Sequence, residues 1–396
     1  MRTMCRGCES TDLAEMLDLG HVPLAGGFLA DAGAPDRLFP LKIHVCRRCA
    51  LVQILDAIDP DILFQDYSFS SSTIGPLVDH FSKYAHWIRE RFHPDVVVEF
   101  GCNDGVLLAP LQAAGVRAVG VDISENIGNL ARGKGLDVLT GAFDDAMAAR
   151  IVSSAGAAGV VTGSNAFAHN DHPERILSAA RRVLRPDGHL CLEVMYAGDL
   201  FEQWQWDTLY HEHLTFYGLG SLGQLLERYG FFLVDAERIP MHGGSLRVTA
   251  ALVRPTEPPA TVRRLLDYEE QLGLNRWETW SDFGARVGRK IAIVRDVFAT
   301  LSRHHRIWAY GAAGKATMWV NACGMHYLGG IVDASPLRAG KFMPGTRTPI
   351  VFPDEFKRVN PDYVFVTAWN YADVIKAKES WFSGTWATPL PDLRLF

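Results

Sequence analysis

The sequence predicts an α/β protein in which a small cysteine-rich segment precedes two open, doubly wound sheets. Two Cys-x-x-Cys pairs lie within residues 1–49, and a pattern of strand, glycine turn and helix starts near residue 95 and again near residue 306. The 396 residues also exceed what one hydrophobic core usually serves. A Pro-rich run at 254–259 is the expected linker between the two sheets. We therefore expect three domains, at residues 1–75, 76–254 and 255–396.

The composition is that of a folded protein and argues against several kinds of partner. Charged residues make up 21% of the chain and hydrophobic residues 48%. The net charge is -6 and no cluster of Lys or Arg stands out, so a nucleic-acid partner is not expected. The N-terminus lacks an apolar run, and no later segment is long and apolar enough to span a bilayer. We expect a cytoplasmic monomer or small homo-oligomer without a membrane partner, and a ligand with a few phosphates remains compatible.

Four of the seven cysteines form two pairs, Cys5-x-x-Cys8 and Cys46-x-x-Cys49. Each pair has the spacing of a knuckle that wraps one side of a tetrahedral ion, and in a reducing compartment this favours a metal over disulfides. Four thiolates leave no open position for water or substrate, so we expect a structural zinc ion. The alternative is two unrelated thiol pairs. Extended pieces at 17–24 and 41–45 are expected between the pairs.

The clearest pattern in the chain is the strand and turn that begin at Asp95. An apolar run ends in Glu99, turns on Gly101 and Gly105 and leads into a helix, as in the first βα unit of a doubly wound sheet. A second strand ends in Asp122, where an acid can bind both hydroxyls of a ribose. The glycines allow a ligand to approach the backbone closely. Because the full dinucleotide fingerprint is missing, S-adenosylmethionine fits better than NAD, and a turn without a ligand is the alternative.

The next two strands of this sheet are expected at 137–143 and from 159 onward. Residues after the fourth strand lie over the crevice where the strand order reverses, so Asn165 and His169 are expected to face the ligand. A lone histidine at such a position also commonly caps a helix or fills a core. A helix at 173–184, a turn at 185–189 and a strand at 190–194 follow, and an antiparallel pair at 231–238 and 244–252 ends the domain. His242 lies at its hairpin, as a site residue or as turn filler.

The densest set of proton-handling side chains is Tyr210-His211-Glu212-His213. Apolar and aromatic neighbours exclude water there and move the pKa values of these groups toward those of a working base. A metalloprotease motif is excluded, because the fourth residue after His211 is Thr215. The alternative is a Tyr- and His-rich surface loop. Tyr67, in a hydroxyl-rich loop at 66–73 before a helix at 76–91, faces the same site or belongs to a solvated turn.

The C-terminal part restarts the α/β pattern. A strand and glycine turn at 306–315 end in Gly314-Lys315, a second strand ends in Asp333, and a later strand is expected at 360–367. The turn is not a P-loop, because Ala316 follows the lysine. A helix N-terminus beside a lysine still suits a diphosphate, and a purely structural second sheet is the alternative.

Read together, these motifs resemble the nucleotide-sugar C-methyltransferases of the tetronitrose and mycarose type, which methylate a 4-keto deoxysugar. The resemblance covers nearly the whole chain, and it rests on the two cysteine pairs and on Glu99-Phe-Gly-Cys-Asn-Asp-Gly105, Asn165-Ala-Phe-Ala-His169, Tyr210-x-Glu212-His213, His242-Gly-Gly-Ser-Leu-Arg247, Tyr310-Gly-Ala-Ala-Gly-Lys315 and Asp333-Ala-Ser-Pro336. It implies a central class I (Rossmann-like) methyltransferase domain that binds S-adenosylmethionine. It also implies a nucleotide sugar, with dTDP favoured, between this domain and the Rossmann-like C-terminal domain.

The resemblance assigns residues to each part of the site. The catalytic set is Tyr67, His169, Tyr210, Glu212 and His213. The cofactor set is Glu99, Gly101, Asn103, Gly105, Asp122, Ile123 and Asn165, and the substrate set is His242, Lys315, Asp333 and Ser335. Two positions depart from the family: Phe69 stands where a second tyrosine is usual, and His211 stands where the best-known members carry Asp.

The chemistry that fits these residues is methylation of the carbon next to a ketone, with the third sugar carbon favoured by the resemblance. We expect His213 to remove the α-proton as general base, with Glu212 orienting or tuning it. Tyr210 and His169 are expected to hydrogen-bond the enolate or keto oxygen, where charge develops. No metal is needed for this step.

Three other functions remain open from the sequence. An O- or N-methyltransferase acting on a sugar or another small molecule would need a base but no enolate stabiliser. A zinc-containing RNA-binding module is disfavoured by the lack of a basic surface. A sugar-nucleotide sensor without activity is disfavoured by the intact set from Tyr210 to His213.

Overall fold

The computed structural model describes residues 2–64, 67 and 69–396. Asp66 and Ser68, in the expected hydroxyl-rich loop, lie outside the described residues. The described chain forms three sheets of four, seven and six strands, which confirms the α/β class.

The N-terminal part contains three strands and two helices, and its strands are longer than the extended pieces expected from the sequence. They are β1 (Leu13–Pro23), β2 (Leu38–Cys46), β3 (Val52–Ile54), α1 (Pro60–Phe64) and α2 (Gly75–Phe92). α2 starts with a proline in its first turn and ends at His93 in the left-handed conformation (φ 43°), which stops the helix.

The central part alternates strands with helices until its last strand pair. Its elements are β4 (Val96–Phe100), α3 (Leu108–Ala113), β5 (Arg117–Asp122), α4 (Glu125–Gly133), β6 (Asp137–Thr140), α5 (Asp145–Ala155), β7 (Ala158–Ser164), α6 (Pro173–Val183), β8 (Leu184–Met195), α7 (Ala197–Glu202), β9 (Thr215–Phe216), α8 (Leu219–Arg228), β10 (Phe232–Ile239) and β11 (Ser245–Ala251).

The C-terminal part begins with two helices and then forms the third sheet. Its elements are α9 (Ala260–Leu272), α10 (Trp277–Leu301), β12 (Ile307–Tyr310), α11 (Gly314–Ala322), β13 (Ile331–Val332), β14 (Ile350–Val351), α12 (Pro353–Val359), β15 (Tyr363–Val366), α13 (Ala372–Lys378), β16 (Thr385–Thr388) and β17 (Arg394–Leu395).

The seven-stranded sheet has the order β10-β11-β8-β7-β4-β5-β6. β6, β5, β4, β7 and β8 run parallel to one another, and β11 runs antiparallel to both β8 and β10. The strand order therefore reverses between β4 and β7, and a ligand crevice is expected at their carboxyl ends. All five residues of β4 are buried, as expected for a strand that is covered by helices on both faces.

The prediction of a turn at 185–189 is wrong. These residues belong to β8, which runs from Leu184 to Met195. β8 pairs with β7 through Ala158 opposite Leu184 and Val160 opposite His189, so the extra residues bulge out of an otherwise regular strand. The Pro-Asp-Gly sequence has turn chemistry, but the pairing on both sides keeps the segment within the sheet.

The four-stranded sheet takes its last strand from another part of the chain. Its order is β1-β2-β3-β9, and β9 pairs antiparallel with β3 through Val52 and Phe216. β9 comes directly after the Tyr210–His213 stretch, so the N-terminal sheet holds one end of that stretch in place.

The six-stranded sheet has the order β14-β13-β12-β15-β16-β17, with β12 to β16 parallel and β17 antiparallel at the edge. Its strand order reverses between β12 and β15, so a second crevice lies at their carboxyl ends. Among the described residues, none of the helices has both the length and the apolar character that a bilayer crossing demands.

The long helix α10 joins the N-terminal and C-terminal sheets through one hydrophobic core. Its buried side chains, among them Phe283 and Phe298, share this core with Ile43 of β2 and Phe365 of β15. Helix α9 instead contacts the central part, where the buried Glu269 carboxylate accepts hydrogen bonds from the Leu219 (2.5 Å) and Gly220 (3.0 Å) amides at the start of α8. These two helices hold the three sheets together.

Close approach of α10 to β1 depends on Gly284. A methyl group at residue 284 would lie 2.1 Å from the Met16 carbonyl oxygen, whereas one at Gly288, on the next turn of α10, would have no atom within 4 Å. We expect Gly284→Ala to lower the thermal unfolding midpoint, with a cost of about 1–3 kcal/mol from overpacking. Gly288→Ala should raise the midpoint slightly, since alanine is better in a helix interior by roughly 0.5–1 kcal/mol. Equal midpoints for the two variants would contradict this account of the packing.

Candidate active site

The crevice of the central sheet is built by the loops after β4 and β7. The Gly101 amide donates to the Val121 carbonyl (2.8 Å) and the Asn165 amide donates to the Glu193 carbonyl (2.7 Å), so each loop is fixed to a neighbouring strand. Three buried polar atoms there have no hydrogen-bond partner among the described residues: Glu99 Oε2, Ser164 Oγ and Asn165 Oδ1. Burial of a polar atom without a hydrogen-bond partner costs free energy, so these atoms indicate a ligand that carries hydrogen-bond donors.

Charge and shape in this crevice fit S-adenosylmethionine. Burial raises the pKa of Glu99 well above its usual range, and the charges of Asp122, Glu193 and Asp104 add to the rise. An ammonium or sulfonium group would relieve this crowding of acids. Ile123 is 45% exposed directly after Asp122 and offers an apolar surface to a flat base. The Asp122 carboxylate, which already accepts the Asn103 and Ser124 amides (both 2.8 Å), stands where ribose hydroxyls would bind.

The two glycines of the first turn are required by packing within the protein. Gly101 and Gly105 have positive φ values of 66° and 80°. A methyl group at Gly101 would lie 2.3 Å from Ala166 Cβ, and one at Gly105 would lie 2.2 Å from Leu136 Cδ1. Packing within the protein is therefore enough to require glycine at both positions, without the close approach of a ligand that the sequence suggested.

Asn103 holds the loop that precedes α2. Its side chain donates to the Phe69 carbonyl (3.0 Å) and accepts from the Ser71 amide (2.9 Å). The loop that carries Tyr67 and Phe69 is thereby attached to the cofactor turn, which explains how a residue distant in sequence from the other catalytic candidates comes to lie beside them.

His213 is held in one orientation by a backbone carbonyl. Its Nδ1–H donates to Thr208 O at 2.7 Å, which leaves Nε2 unprotonated and available as a base. Its ring lies 4.1 Å from the Tyr210 ring and 5.2 Å from the His169 ring, between centroids. Burial lowers the pKa of His213 well below its ordinary value, and nearby His169 lowers it further. The imidazole is therefore neutral at neutral pH.

His169 and Tyr210 lie against His213 and are also neutral. Burial lowers the pKa of His169 to about 4, and its ring stacks on Phe64 with 6.0 Å between centroids. Burial raises the pKa of Tyr210 well above its usual range. A neutral phenol and a neutral imidazole can each donate one hydrogen bond to an oxygen that gains negative charge.

Glu212 pairs with Tyr67 and faces the N-terminal part of the chain. Burial raises the pKa of Glu212 to about 7, and a hydrogen bond from the Tyr67 side chain partly offsets the rise. A methyl group at Gly26 would lie 3.5 Å from Glu212 Oε1 and have no other atom within 4 Å, so Gly26 leaves open space beside the carboxyl group. The Gly26 loop is attached to the C-terminal part, because Thr317 Oγ1 donates to the Ala25 carbonyl (3.1 Å).

His211 points away from this cluster. It is 1% exposed, its Nε2–H donates to the Pro40 carbonyl of β2 (3.2 Å), and its ring meets Phe39 edge to face at 5.9 Å. The departure from the family at this position therefore affects how the stretch docks on the N-terminal sheet.

The crevice of the C-terminal sheet opens against the other side of the same stretch. A methyl group at Gly314 would lie 3.1 Å from the Tyr210 hydroxyl, so the start of α11 touches the phenol. The buried Lys315 Nζ has no hydrogen-bond partner among the described residues and lies 4.5 Å above the Trp369 ring. Burial lowers the pKa of Lys315, while Asp207 opposes this.

The other substrate candidates divide into two groups. His242 has a left-handed backbone (φ 55°). Burial lowers its pKa to about 4, and the nearby charge of Lys315 contributes to this shift. Asp333 is occupied within the protein: it accepts from the Ala312 and Ser335 amides (both 2.8 Å) and pairs with Arg338 (3.2 Å). Asp333 and Ser335 therefore shape the glycine turn of this crevice.

The structure thus brings Tyr67, His169, Tyr210, Glu212 and His213 together between the two crevices. Sequence reasoning missed the carbonyl of Thr208, the open space at Gly26 and the carboxylate of Asp207. Only Asp207 carried a usable signal, since a charged residue among tryptophans in the same stretch needs a partner when it is buried.

The four paired cysteines come together in the N-terminal part. All four sulfurs lie within 4.8 Å of one another, with Cys5 and Cys49 3.5 Å apart and Cys8 and Cys46 also 3.5 Å apart. Zn–S bonds of about 2.3 Å require sulfurs separated by roughly 3.8 Å in a tetrahedron, so the set fits a closed zinc site. The Gly7 amide and Gln53 Nε2 donate to Cys5 Sγ (3.3 and 3.2 Å), as expected around a thiolate.

The first knuckle is also fixed to the central part beside the catalytic cluster. Arg6 lies between Cys5 and Cys8, and its guanidinium binds the Asp171 carboxylate at 2.7 and 2.9 Å. Asp171 follows His169 by two residues. The zinc site therefore helps to position the His169 loop, although its cysteines lie apart from the candidate catalytic residues.

Comparison with known families divides the chain into three matched segments. A zinc binding domain model matches residues 5–64, a methyltransferase domain model matches 76–236, and a C-methyltransferase C-terminal domain model matches 240–391. The three models follow one another in the order of the three sheets.

One curated relative is similar along its whole length. The C-methyltransferase NovU of Streptomyces niveus is 34% identical over 404 residues, which span 99% of this chain and 96% of the relative.

Among solved structures, magnesium protoporphyrin IX methyltransferase from Synechocystis PCC 6803 with bound SAH is 16% identical, with a TM-score of 0.35 over 44% of this chain and 82% of that one. The CcbJ methyltransferase from Streptomyces caelestis is 15% identical, with a TM-score of 0.34 over 43% and 88%. Structural likeness at this level adds nothing to the family comparison.

Removal of a zinc ligand should be visible without any activity assay. We expect the purified protein to carry about one zinc ion per chain, and Cys46→Ser to lose the ion and unfold at a lower temperature. Cys323→Ser, which changes another buried cysteine outside the cluster, should keep its zinc. Metal content by atomic emission and thermal midpoints check both variants, and full zinc occupancy in Cys46→Ser would contradict the assignment.

Proposed function

The chain belongs to the C-methyltransferase family, and we propose that it methylates the carbon next to the ketone of a nucleotide-bound 4-keto-6-deoxysugar, with the third sugar carbon favoured. It is an S-adenosylmethionine-dependent methyltransferase with a structural zinc site. The observation that supports the proposal is that His213 is bound to Thr208 O through Nδ1–H, which leaves Nε2 unprotonated, and that its ring lies against His169 and against Tyr210, which the start of α11 touches.

His213 is the general base of the proposed reaction. A carbon next to a ketone is acidic enough to lose a proton to an imidazole that is close and correctly oriented. The proton moves to Nε2, while Thr208 O keeps the ring in place through Nδ1. The ring can accept this proton because its low pKa leaves it neutral beforehand.

Tyr210 and His169 stabilise the enolate that results. Both rings contact the His213 ring, so an oxygen on the carbon next to the deprotonated one lies within their reach. Each donates a hydrogen bond in its neutral form, and these bonds strengthen as negative charge develops on that oxygen. S-adenosylmethionine, when bound, supplies the electrophilic methyl group that the enolate carbon takes as the carbon–sulfur bond breaks.

Glu212 and Tyr67 act on the sugar from the opposite side. Thr208, not Glu212, orients the His213 ring, so the role of Glu212 is its pairing with Tyr67 and its position beside the open space at Gly26. With a pKa of about 7, the Glu212 carboxyl group can accept or donate a hydrogen bond to a sugar hydroxyl at neutral pH.

The nucleotide of the substrate is proposed to bind in the C-terminal crevice. The nine-residue helix α11 starts beside Tyr210 and carries at its N-terminus the Lys315 ammonium, for which the described part of the chain offers no hydrogen-bond partner. A helix N-terminus with a lysine suits a diphosphate. His242 lies close enough to Lys315 to have its pKa lowered by the lysine charge, and dTDP is the favoured nucleotide by family resemblance.

A labelled-substrate assay tests the proposal. Purified protein is incubated with S-adenosylmethionine and a panel of 4-keto-6-deoxy nucleotide sugars that carry deuterium on the α-carbon, and products are measured by mass spectrometry. We expect a methylated product that has lost the deuterium, because the base must remove it before the carbon–carbon bond forms. Methylation with the deuterium retained would indicate O- or N-transfer, and absence of product across the panel would contradict the sugar assignment.

Replacement of the base should abolish turnover without unfolding the protein. We expect His213→Ala to lower kcat by about a hundredfold or more, with S-adenosylmethionine binding by calorimetry unchanged. His86→Ala, which changes an exposed histidine on α2, is the control and should have wild-type activity. A His213→Ala enzyme within a few-fold of wild type would rule out this residue as the base.

A further inference from the structure

We propose that Asp207 is a positioning residue that couples the nucleotide-binding crevice of the C-terminal sheet to the catalytic base. The inference rests on the proposed function, because it takes Lys315 as the group that meets the substrate phosphates. It assigns a role to a residue that touches neither the reacting atoms nor the nucleotide.

Asp207 joins both walls of the C-terminal crevice through one oxygen atom. It is 0% exposed, in the short 3-10 turn Trp206–Thr208. Its Oδ2 accepts the indole N–H of Trp319 at 2.9 Å and that of Trp369 at 2.8 Å. Trp319 belongs to α11, and Trp369 follows β15 on the other side of the crevice. Loss of this carboxylate would release both walls from the catalytic stretch.

Asp207 also acts on Lys315 through Trp369. The Lys315 ammonium lies over the face of the same indole whose N–H is bound to Asp207. A carboxylate that accepts the indole N–H makes the ring more electron-rich, which strengthens its attraction for a cation. The titratable groups that interact with Lys315 are Asp207 and the imidazoles of His213 and His242, whose lowered pKa values leave them neutral, so Asp207 is the only anion among these three.

The residue after Asp207 holds the catalytic base. Thr208 O accepts the Nδ1–H of His213. The turn Trp206–Thr208 is therefore bound to the walls of the C-terminal crevice through Asp207 and to His213 through Thr208. Phosphates that bind Lys315 tighten the contact between α11 and this turn, and the turn sets the direction of His213 Nε2.

The negative charge itself is part of the proposed role. Asp207 Oδ1 has no hydrogen-bond partner among the described residues, and burial of a partly unsatisfied carboxylate is costly. Burial raises the pKa of Asp207, and the charge of Lys315 and the two indole N–H groups lower it again. A neutral side chain would hold the two indoles at lower cost, so the buried cation is the reason for a carboxylate at this position.

Four variants separate these contributions. Asp207→Asn keeps an oxygen acceptor for the indoles and removes the charge, and Trp369→Phe removes the N–H and keeps the ring. Lys315→Met removes the cation. Glu269→Gln is the matched control, since Glu269 is another buried carboxylate that accepts two N–H groups but lies at the start of α8.

The measurements are dTDP binding by calorimetry, steady-state kinetics with the nucleotide sugar that the panel identifies, and thermal midpoints. We expect Asp207→Asn and Trp369→Phe to weaken dTDP binding and raise KM by about tenfold, and Asp207→Asn also to lower kcat by about threefold, because its turn holds His213. Glu269→Gln should change the midpoint alone. In the Lys315→Met background, Asp207→Asn should have little further effect on binding, because the cation it supports is gone.

The pH dependence of dTDP binding separates this role from a purely structural one, because a structural contact alone would not change it. Lys315 must carry its proton to bind a phosphate, so binding weakens as the pH rises through its pKa. Removal of the Asp207 charge lowers that pKa further, and dTDP binding by Asp207→Asn should therefore weaken at a lower pH than in the wild type. An unchanged profile and unchanged KM would overturn the proposal, as would equal weakening by Asp207→Asn with and without Lys315.

Failure of this inference can be told apart from failure of the proposed function. Normal methylation of a nucleotide sugar with unaltered binding in the Asp207 and Trp369 variants would overturn the coupling alone. Weaker dTDP binding in these variants, without methylation of any sugar in the panel, would support the coupling and overturn the sugar assignment. A wild-type protein that binds neither dTDP nor any nucleotide sugar of the panel would overturn both.

Discussion

The active site depends on how one irregular segment, residues 204–217, is held between three sheets. Apart from the 3-10 turn Trp206–Thr208 and the two residues of β9, this segment has no regular secondary structure, so its backbone and polar side chains must find partners elsewhere. Asp207 binds the C-terminal tryptophans, His211 binds the Pro40 carbonyl of the N-terminal sheet, and β9 completes that same sheet. His213 is bound within the segment itself, to Thr208. Each part of the molecule thus contributes to the direction in which the proposed base points.

Charge is distributed unequally between the two crevices. The cofactor side gathers Glu99, Asp122 and Glu193, whose mutual repulsion suits a cationic ligand. The C-terminal side has Lys315 at the start of α11, beside the neutral His242, and suits an anionic one. Between them, burial keeps the imidazoles uncharged. A cationic methyl donor and an anionic nucleotide would each meet the complementary side, with neutral groups left where the proton moves.

The N-terminal part contributes to the site although its zinc cluster lies apart from the reacting groups. A sheet of three strands and one borrowed two-residue strand has little core of its own. The cysteine cluster holds the knuckles, Arg6 ties the first knuckle to Asp171 near His169, and α10 supplies the shared core on the other side. This part therefore has a rigid position from which Gly26 can border the open space beside Glu212.

Sequence patterns determined the α/β class, the two doubly wound sheets, the cysteine cluster and the set from Tyr210 to His213, because each depends on neighbours a few residues apart. The alternation of buried strands with helices and the Cys-x-x-Cys spacing are local signals of this kind. The expected turn at 185–189 was wrong because pairing with β7, a long-range contact, outweighed local turn chemistry. The tertiary structure alone decided that Thr208 orients His213, that Gly101 packs on Ala166 and that Asp207 meets two tryptophans more than a hundred residues away. The Gly101 and Asp207 contacts join residues far apart in the chain, and the Thr208 contact depends on how an irregular stretch folds back on itself, so no local pattern records any of them.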